Sequence, residues 1–126
     1  MLSILTIDDE FAICELIHDF LKKKGYKVRS SQSGEEALRL INDERPDIVF
    51  LDLMMPDMTG EDILRKIKKL HPDLPVIMLT GFSCEKKAIE LLSQGAHDYI
   101  TKPINFYHLE QYLSFWKQLS DAEHTV

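Results

Sequence analysis

Four apolar runs in this chain each stop at side chains able to handle a phosphoryl group. Residues 2–7 run into Asp8-Asp9-Glu10, and residues 47–51 run into Asp52. Residues 76–79 deliver Thr80-Gly81, and residues 98–100 lead to Thr101-Lys102-Pro103. If these runs are neighbouring parallel strands, carboxylates, a hydroxyl and an ammonium group meet at one sheet edge. Carboxylates crowded into a crevice repel, each raising the cost of ionising the others. A hard divalent cation relieves that conflict. Mg2+ keeps several waters and usually takes only one or two protein carboxylates plus phosphate oxygens. Asp8, Asp9 and Asp52 offer such a partial shell. Neither cysteine and none of the five histidines adjoins these acids in sequence, which speaks against zinc.

Asp52 stands apart because it ends its own strand and opens a loop, residues 53–60, whose Pro56 and Gly60 suit a tight, fixed path. A carboxylate can attack phosphorus and hold an aspartyl-phosphate. The loose transition state of that transfer needs alignment and charge compensation more than further covalent help. In this reading Lys102 pairs with one phosphoryl oxygen and Thr80 donates a hydrogen bond to another. Plainer roles exist for each residue. The acids are expected to cap the first helix in any case, where its dipole favours negative charge. Asp52 and Thr80 could be loop groups, and Lys102 a solvated lysine. The position of all four groups at strand ends favours the chemical reading.

The elements that must position these groups alternate in period. Residues 11–24 carry Ile13, Leu16, Ile17, Phe20 and Leu21 at helical spacing, and Gly25 stops that helix. Residues 26–30 read as a short strand. Ser33 and Glu36 form a capping box for a helix reaching about residue 42. Residues 47–51 are almost continuously apolar, so that strand must be covered on both faces. Residues 60–70 place Ile63, Leu64, Ile67 and Leu70 on one helical side, and residues 84–94 form a helix closed by Gly95. The last helix, residues 105–119, buries Leu109, Tyr112, Leu113, Trp116 and Leu119. Tyr107 and Phe115 fall off that stripe, which leaves open a partner-facing aromatic surface or ordinary packing. Five strands alternating with five helices imply an α/β fold, a doubly wound parallel sheet between helix layers. Sites in such sheets form beyond the carboxyl ends of the strands.

A length of 126 residues suits one domain, set at residues 1–120 with a polar tail at 121–126. The net charge of −6 argues against general nucleic-acid affinity, which depends on Lys and Arg displacing counterions. No apolar stretch reaches membrane-spanning length, and the first run is cut short by acids, unlike a signal peptide. A cytoplasmic protein without membrane or direct nucleic-acid partners is expected, with Cys14 and Cys84 as reduced packing thiols. His18, His71, His97, His108 and His124 read as surface or cap residues.

The motifs Ile7-Asp8-Asp9-Glu10, Asp52 with Pro56 and Gly60, Met78-Leu79-Thr80-Gly81 and Thr101-Lys102-Pro103 occur in a fixed order. In this the chain resembles the receiver (CheY-like) domain of two-component response regulators, over about residues 2–119. The resemblance implies a flavodoxin-like five-stranded parallel sheet, order 2-1-3-4-5, with five helices. It implies that Asp52 takes a phosphoryl group from a phosphohistidine on a sensor histidine kinase or histidine phosphotransfer protein. Asp9, Asp52 and the Met54 backbone carbonyl would ligate Mg2+, and Asp8 would act largely through water. Thr80 and Lys102 would contact the phosphoryl group, and the Lys102–Pro103 peptide would often be cis. Gly81 stands where the family frequently has alanine, another small residue.

The resemblance also implies a switch. Phosphorylation adds charge and acceptor oxygens at Asp52, Thr80 follows them, and Tyr99 swings into the vacated space. The readout face would be the fourth helix, fifth strand and fifth helix, presented to a downstream output domain or protein. A homodimer formed on phosphorylation stays open, as does a stand-alone chain against part of a longer regulator. Met54 and Phe82 lie two residues after Asp52 and Thr80. Both are apolar, which predicts slow self-dephosphorylation because neither orients an attacking water. An alternative is a phosphatase of the haloacid dehalogenase type, whose nucleophile ends the first strand in Asp-x-Asp; here Glu10 occupies the second acidic position. A flavodoxin-like FMN binder fits less well, since the acidic first loop would repel its phosphate.

Overall fold

A computed structural model describes residues 2–81 and 85–124. The elements run β1 (Ser3–Ile7), α1 (Phe11–Lys23), β2 (Lys27–Ser31), α2 (Gly34–Asp43) and β3 (Ile48–Asp52). They continue with α3 (Gly60–Leu70), β4 (Val76–Thr80), α4 (Glu85–Ser93), β5 (Asp98–Thr101) and α5 (Phe106–His124). The strands form one parallel sheet in the order β2-β1-β3-β4-β5. This is the flavodoxin-like doubly wound architecture expected from the sequence.

Strand periodicity divides the core between the two faces of the sheet. Leu5, Ile7, Val49, Leu51, Val76 and Met78 pack with Ala37 and Ile41 of α2, Ile63, Leu64 and Ile67 of α3, and Leu91 of α4. Their neighbours Ile4, Ile48, Phe50, Ile77 and Leu79 pack with Ile17 and Leu21 of α1 and Leu109 and Leu113 of α5. Both β3 and β4 are buried throughout, which accounts for their unbroken apolar sequences. Truncating a fully buried ring such as Phe50 to alanine would cost about 3–5 kcal/mol.

Helix ends follow the sequence signals with identifiable departures. Gly25 and Gly95 take φ of 91° and 108°, the left-handed conformation that ends α1 and α4. Ser33 Oγ accepts from the Glu36 N–H, but the Ser33 N–H goes to Ser31 Oγ, so Glu36 does not complete the box. The expected capping of α1 by the acids is corrected: Glu10 is the N-cap residue and makes no side-chain cap bond, and the first turn holds no acid. Leu16 and Leu70, counted with their helices' apolar sides, are exposed at 57% and 59%. α5 continues to His124, past the end expected near residue 119 and into the stretch set off as a tail. Of the two aromatics left open, Tyr107 is exposed, whereas the side chain of Phe115, like that of Leu119, lies outside the described residues.

Candidate functional site

Register alone carries the candidate groups to one edge. Ile7 pairs with Leu51, Asp52 with Leu79, and Thr80 with Thr101, so the four strands to which they belong end nearly level. Asp8 follows β1 directly, and its N–H donates to the Ser31 carbonyl at 3.1 Å. The Lys102 N–H donates to the Thr80 carbonyl at 2.7 Å, which fixes the backbone from which the lysine side chain returns. The Lys102–Pro103 peptide is cis.

The structure brings Asp8, Asp9, Asp52 and Lys102 together. One carboxylate oxygen from each of the three acids lies within 4.8 Å of the others. Asp8 is fully buried, Asp52 is 5% exposed and Asp9 faces solvent. Lys102 Nζ stands 3.0 Å from Asp8 Oδ2 and 3.2 Å from Asp52 Oδ2. Asp8 Oδ1 accepts from the Glu10 N–H at 3.0 Å, and Asp52 Oδ1 from the Met54 N–H at 3.3 Å. Burial and the neighbouring Asp8 push the Asp52 carboxyl above the ordinary aspartate value, against the pull of Lys102. For Lys102, burial opposes the charge, but the hydrogen bond and attraction of Asp8, joined by Asp52, prevail and raise its pKa.

An all-oxygen set with two buried carboxylates and a third open to water fits a hard divalent cation, because such ions accept oxygen ligands and retain waters. The cluster is therefore able to bind a metal. Thr80 is buried at the end of β4, beside β3 and β5. Tyr99 lies away from the acids on the outer strand, half-buried, packed against the core and lining a groove of about 360 Å3 with His108 and Tyr112. The Met54 side chain is exposed at 67%, while Phe82 and Cys84 lie outside the described residues. Cys14 is a buried free thiol whose Sγ donates to the Asp8 carbonyl at 3.3 Å; burial and Asp8 push its pKa up to about 11.

Two supports of the site were not read from the sequence as such. A Cβ on Gly60 would lie 2.6 Å from the Asp52 carbonyl oxygen and 2.7 Å from Leu53 Cα, so this glycine allows α3 to start against the end of β3. The sequence marks Gly60 as a turn residue but not this close approach. Asp57 crosses from the β3–α3 loop to the start of α2 and accepts from the N–H groups of Gly34 and Glu35. Its position after a proline signals a turn and nothing about a helix 22 or 23 positions away.

A five-stranded, doubly wound sheet with a metal-competent acidic cluster and a lysine at its carboxyl edge defines a class of small α/β domains. The chain belongs to the response regulator receiver domain family, whose model matches residues 4–114. It is 36% identical over 103 residues to the probable transcriptional regulatory protein TcrX of Mycobacterium tuberculosis, covering 82% of this chain and 44% of TcrX. It is 36% identical over 109 residues to the transcriptional regulatory protein ZraR of Escherichia coli, covering 86% of this chain and 25% of ZraR. The chain thus spans less than half the length of these relatives. A CheY-like receiver domain protein from Methanospirillum hungatei superposes with a TM-score of 0.88 at 31% identity, covering 98% of both chains. The phosphatase alternative gains no support from these relatives. Among the described residues, no helix is long and apolar enough to cross a membrane.

Proposed function

We propose that Asp52 is the phosphoacceptor of this receiver domain. An Asp52 carboxylate oxygen attacks the phosphorus of a phosphohistidine, the P–N bond breaks, and the imidazole leaves with the bond's electron pair and takes up a proton. Its placement at the end of β3, with Lys102 3.2 Å away, is the observation that carries this reading. Lys102, already held between two carboxylates, moves its charge to a phosphoryl oxygen as that oxygen arrives. Thr80, at the end of the adjoining strand, follows the new oxygens with its hydroxyl. Mg2+, held by Asp9, Asp52 and the Met54 carbonyl with Asp8 acting through water, would offset the charge gathered between acceptor and phosphoryl group.

The half-buried Tyr99 beside its groove supports a role in passing the change at Thr80 to the face formed by α4, β5 and α5. The donor is a sensor histidine kinase or a histidine phosphotransfer protein. The recipient is an output domain or protein, and the regulatory names of TcrX and ZraR favour a transcriptional output. Two-component signalling of this type places the domain, residues 1–120, in the cytoplasm. Incubation with Mg2+ and a small phosphodonor tests the reading: the intact mass of wild type should rise by one phosphoryl group, and that of Asp52→Ala should not. Turnover of phosphate esters without protein labelling would instead indicate a phosphatase.

A further inference from the structure

The loop after β3 is fastened at both ends by its own backbone. The Gly60 N–H donates to the Leu53 carbonyl at 2.9 Å, and Met54 and Thr59 form an isolated antiparallel bridge. Thr59 Oγ1 then caps α3 by accepting from the Asp62 N–H at 3.1 Å. The tip of the loop is tied to a different element. Asp57 Oδ1 accepts from the Gly34 N–H at 3.0 Å, and Oδ2 accepts from the Glu35 N–H at 3.2 Å.

Both amides belong to the first turn of α2, where N–H groups lack intrahelical partners and the dipole favours an anion. These bonds hold the Asp57 carboxyl below the usual aspartate value. Close packing reinforces the junction, since a Cβ on Gly34 would lie 2.7 Å from Ile63 Cδ1 and 3.0 Å from Met58 Sδ. α2 already has a local cap in Ser33, whose Oγ accepts from the Glu36 N–H. Helix capping is thus shared between a local residue and one supplied by the loop.

We propose that Asp57 is a positioning residue for the metal and phosphoacceptor site, holding the 53–60 loop against α2 and so fixing the Met54 backbone beside Asp52. The proposal rests on the receiver reading, in which Met54 supplies a carbonyl to the metal. Its physical basis is that one strand of the bridged loop carries Met54, whose N–H donates to Asp52 Oδ1, while the tip carries Asp57. Releasing the tip lets the loop drift, although no residue that would touch the metal has been changed. Groups hydrogen-bonded directly to metal ligands are commonly worth about 10–100-fold in metal affinity, and Asp57, which acts one step further out through the loop, is placed at the lower end of that range.

The test uses the full chain with Mg2+ alone as the probe, measured by calorimetric titration and by the backbone amide resonances of Met54 and Gly60. Asp57→Ala should weaken Mg2+ binding about tenfold and shift both resonances before metal is added. Ser33→Ala removes a cap from the same helix without touching the loop, and should lower thermal stability while leaving Mg2+ affinity unchanged. Asp57→Asn, which removes the charge and keeps one of the two acceptor oxygens, should bind Mg2+ with an affinity between those of wild type and Asp57→Ala. Wild-type affinity in Asp57→Ala, or an equal loss in Ser33→Ala, would overturn the proposal. So would Asp57→Asn binding as weakly as Asp57→Ala, which would assign the effect to distant charge. Failure of the wild-type protein to bind Mg2+ would overturn the receiver reading beneath it, a result distinguishable from all of these.

Discussion

Lys102 and Asp8, 94 positions apart in the chain, form an ion pair of 3.0 Å in which the carboxylate has no solvent exposure. Such a pair contributes little by forming, because desolvation offsets most of the attraction, but breaking it strands a charge. Lys102→Met should therefore destabilise the metal-free protein by about 3–5 kcal/mol. Saturating Mg2+ should narrow that gap by restoring positive charge beside Asp8 and Asp52. Chemical denaturation of both proteins with and without Mg2+ measures it, and a gap unchanged by the metal would count against the cluster as its site.

Gly60 and Gly81 flank the same edge but should respond oppositely to alanine. At Gly60 the new Cβ meets backbone atoms at 2.6–2.8 Å, which cannot rotate away. Gly60→Ala should cost about 1–3 kcal/mol and impair labelling of Asp52. At Gly81 a Cβ meets nothing within 4 Å among the described residues. Gly81→Ala should stay within about 0.5 kcal/mol of wild type. Melting curves of the two variants separate the cases.

The pH dependence of the Asp57 tie has a definite sign. Its carboxyl is held below 3.8 in the folded state, chiefly by the Gly34 N–H. Its stabilising effect is therefore fully present above that ordinary value and is lost as pH falls through the lower folded value. The stability difference between wild type and Asp57→Asn should be constant above about pH 5 and shrink at more acid pH. Urea titrations across pH 2–7 check this, and a difference that grows on acidification would contradict it.

Met54 is exposed at 67% beside Asp52 and offers no polar group to an attacking water. Replacing it by a polar residue should shorten the lifetime of the phosphorylated form several-fold without changing how fast that form accumulates. Following the decay by intact mass after donor removal gives the answer. An unaltered lifetime would mean that Met54 does not shield the acyl phosphate.

The sequence made the strand ends legible because parallel strands buried on both faces leave uninterrupted apolar runs, which Asp8, Asp52 and Thr80 close or follow, while Lys102 follows the short half-buried edge strand β5. Helix stops at Gly25 and Gly95 were legible for a similarly local reason, the backbone sterics of positive φ. Relations between distant segments were not. Nothing near Asp57 signals that its acceptors face α2, and nothing near Glu10 signals that Asp8 pairs with Lys102 rather than capping α1. Leu16 looks like a core residue by spacing, yet it borders an open apolar groove of about 490 Å3 with Ile13, Pro103 and Phe106. Spacing reports a helical side; the packing of neighbouring elements decides how far burial extends.

The most direct measurement is localisation of the label. Protein phosphorylated with Mg2+ and a small phosphodonor would be reduced with borohydride, which converts an aspartyl-phosphate to homoserine, and then mapped by peptide mass. Homoserine at position 52 alone is the predicted result. Label at Asp8 or Asp9, or stable phosphate on a hydroxyl or histidine, would contradict the assignment of Asp52 as acceptor.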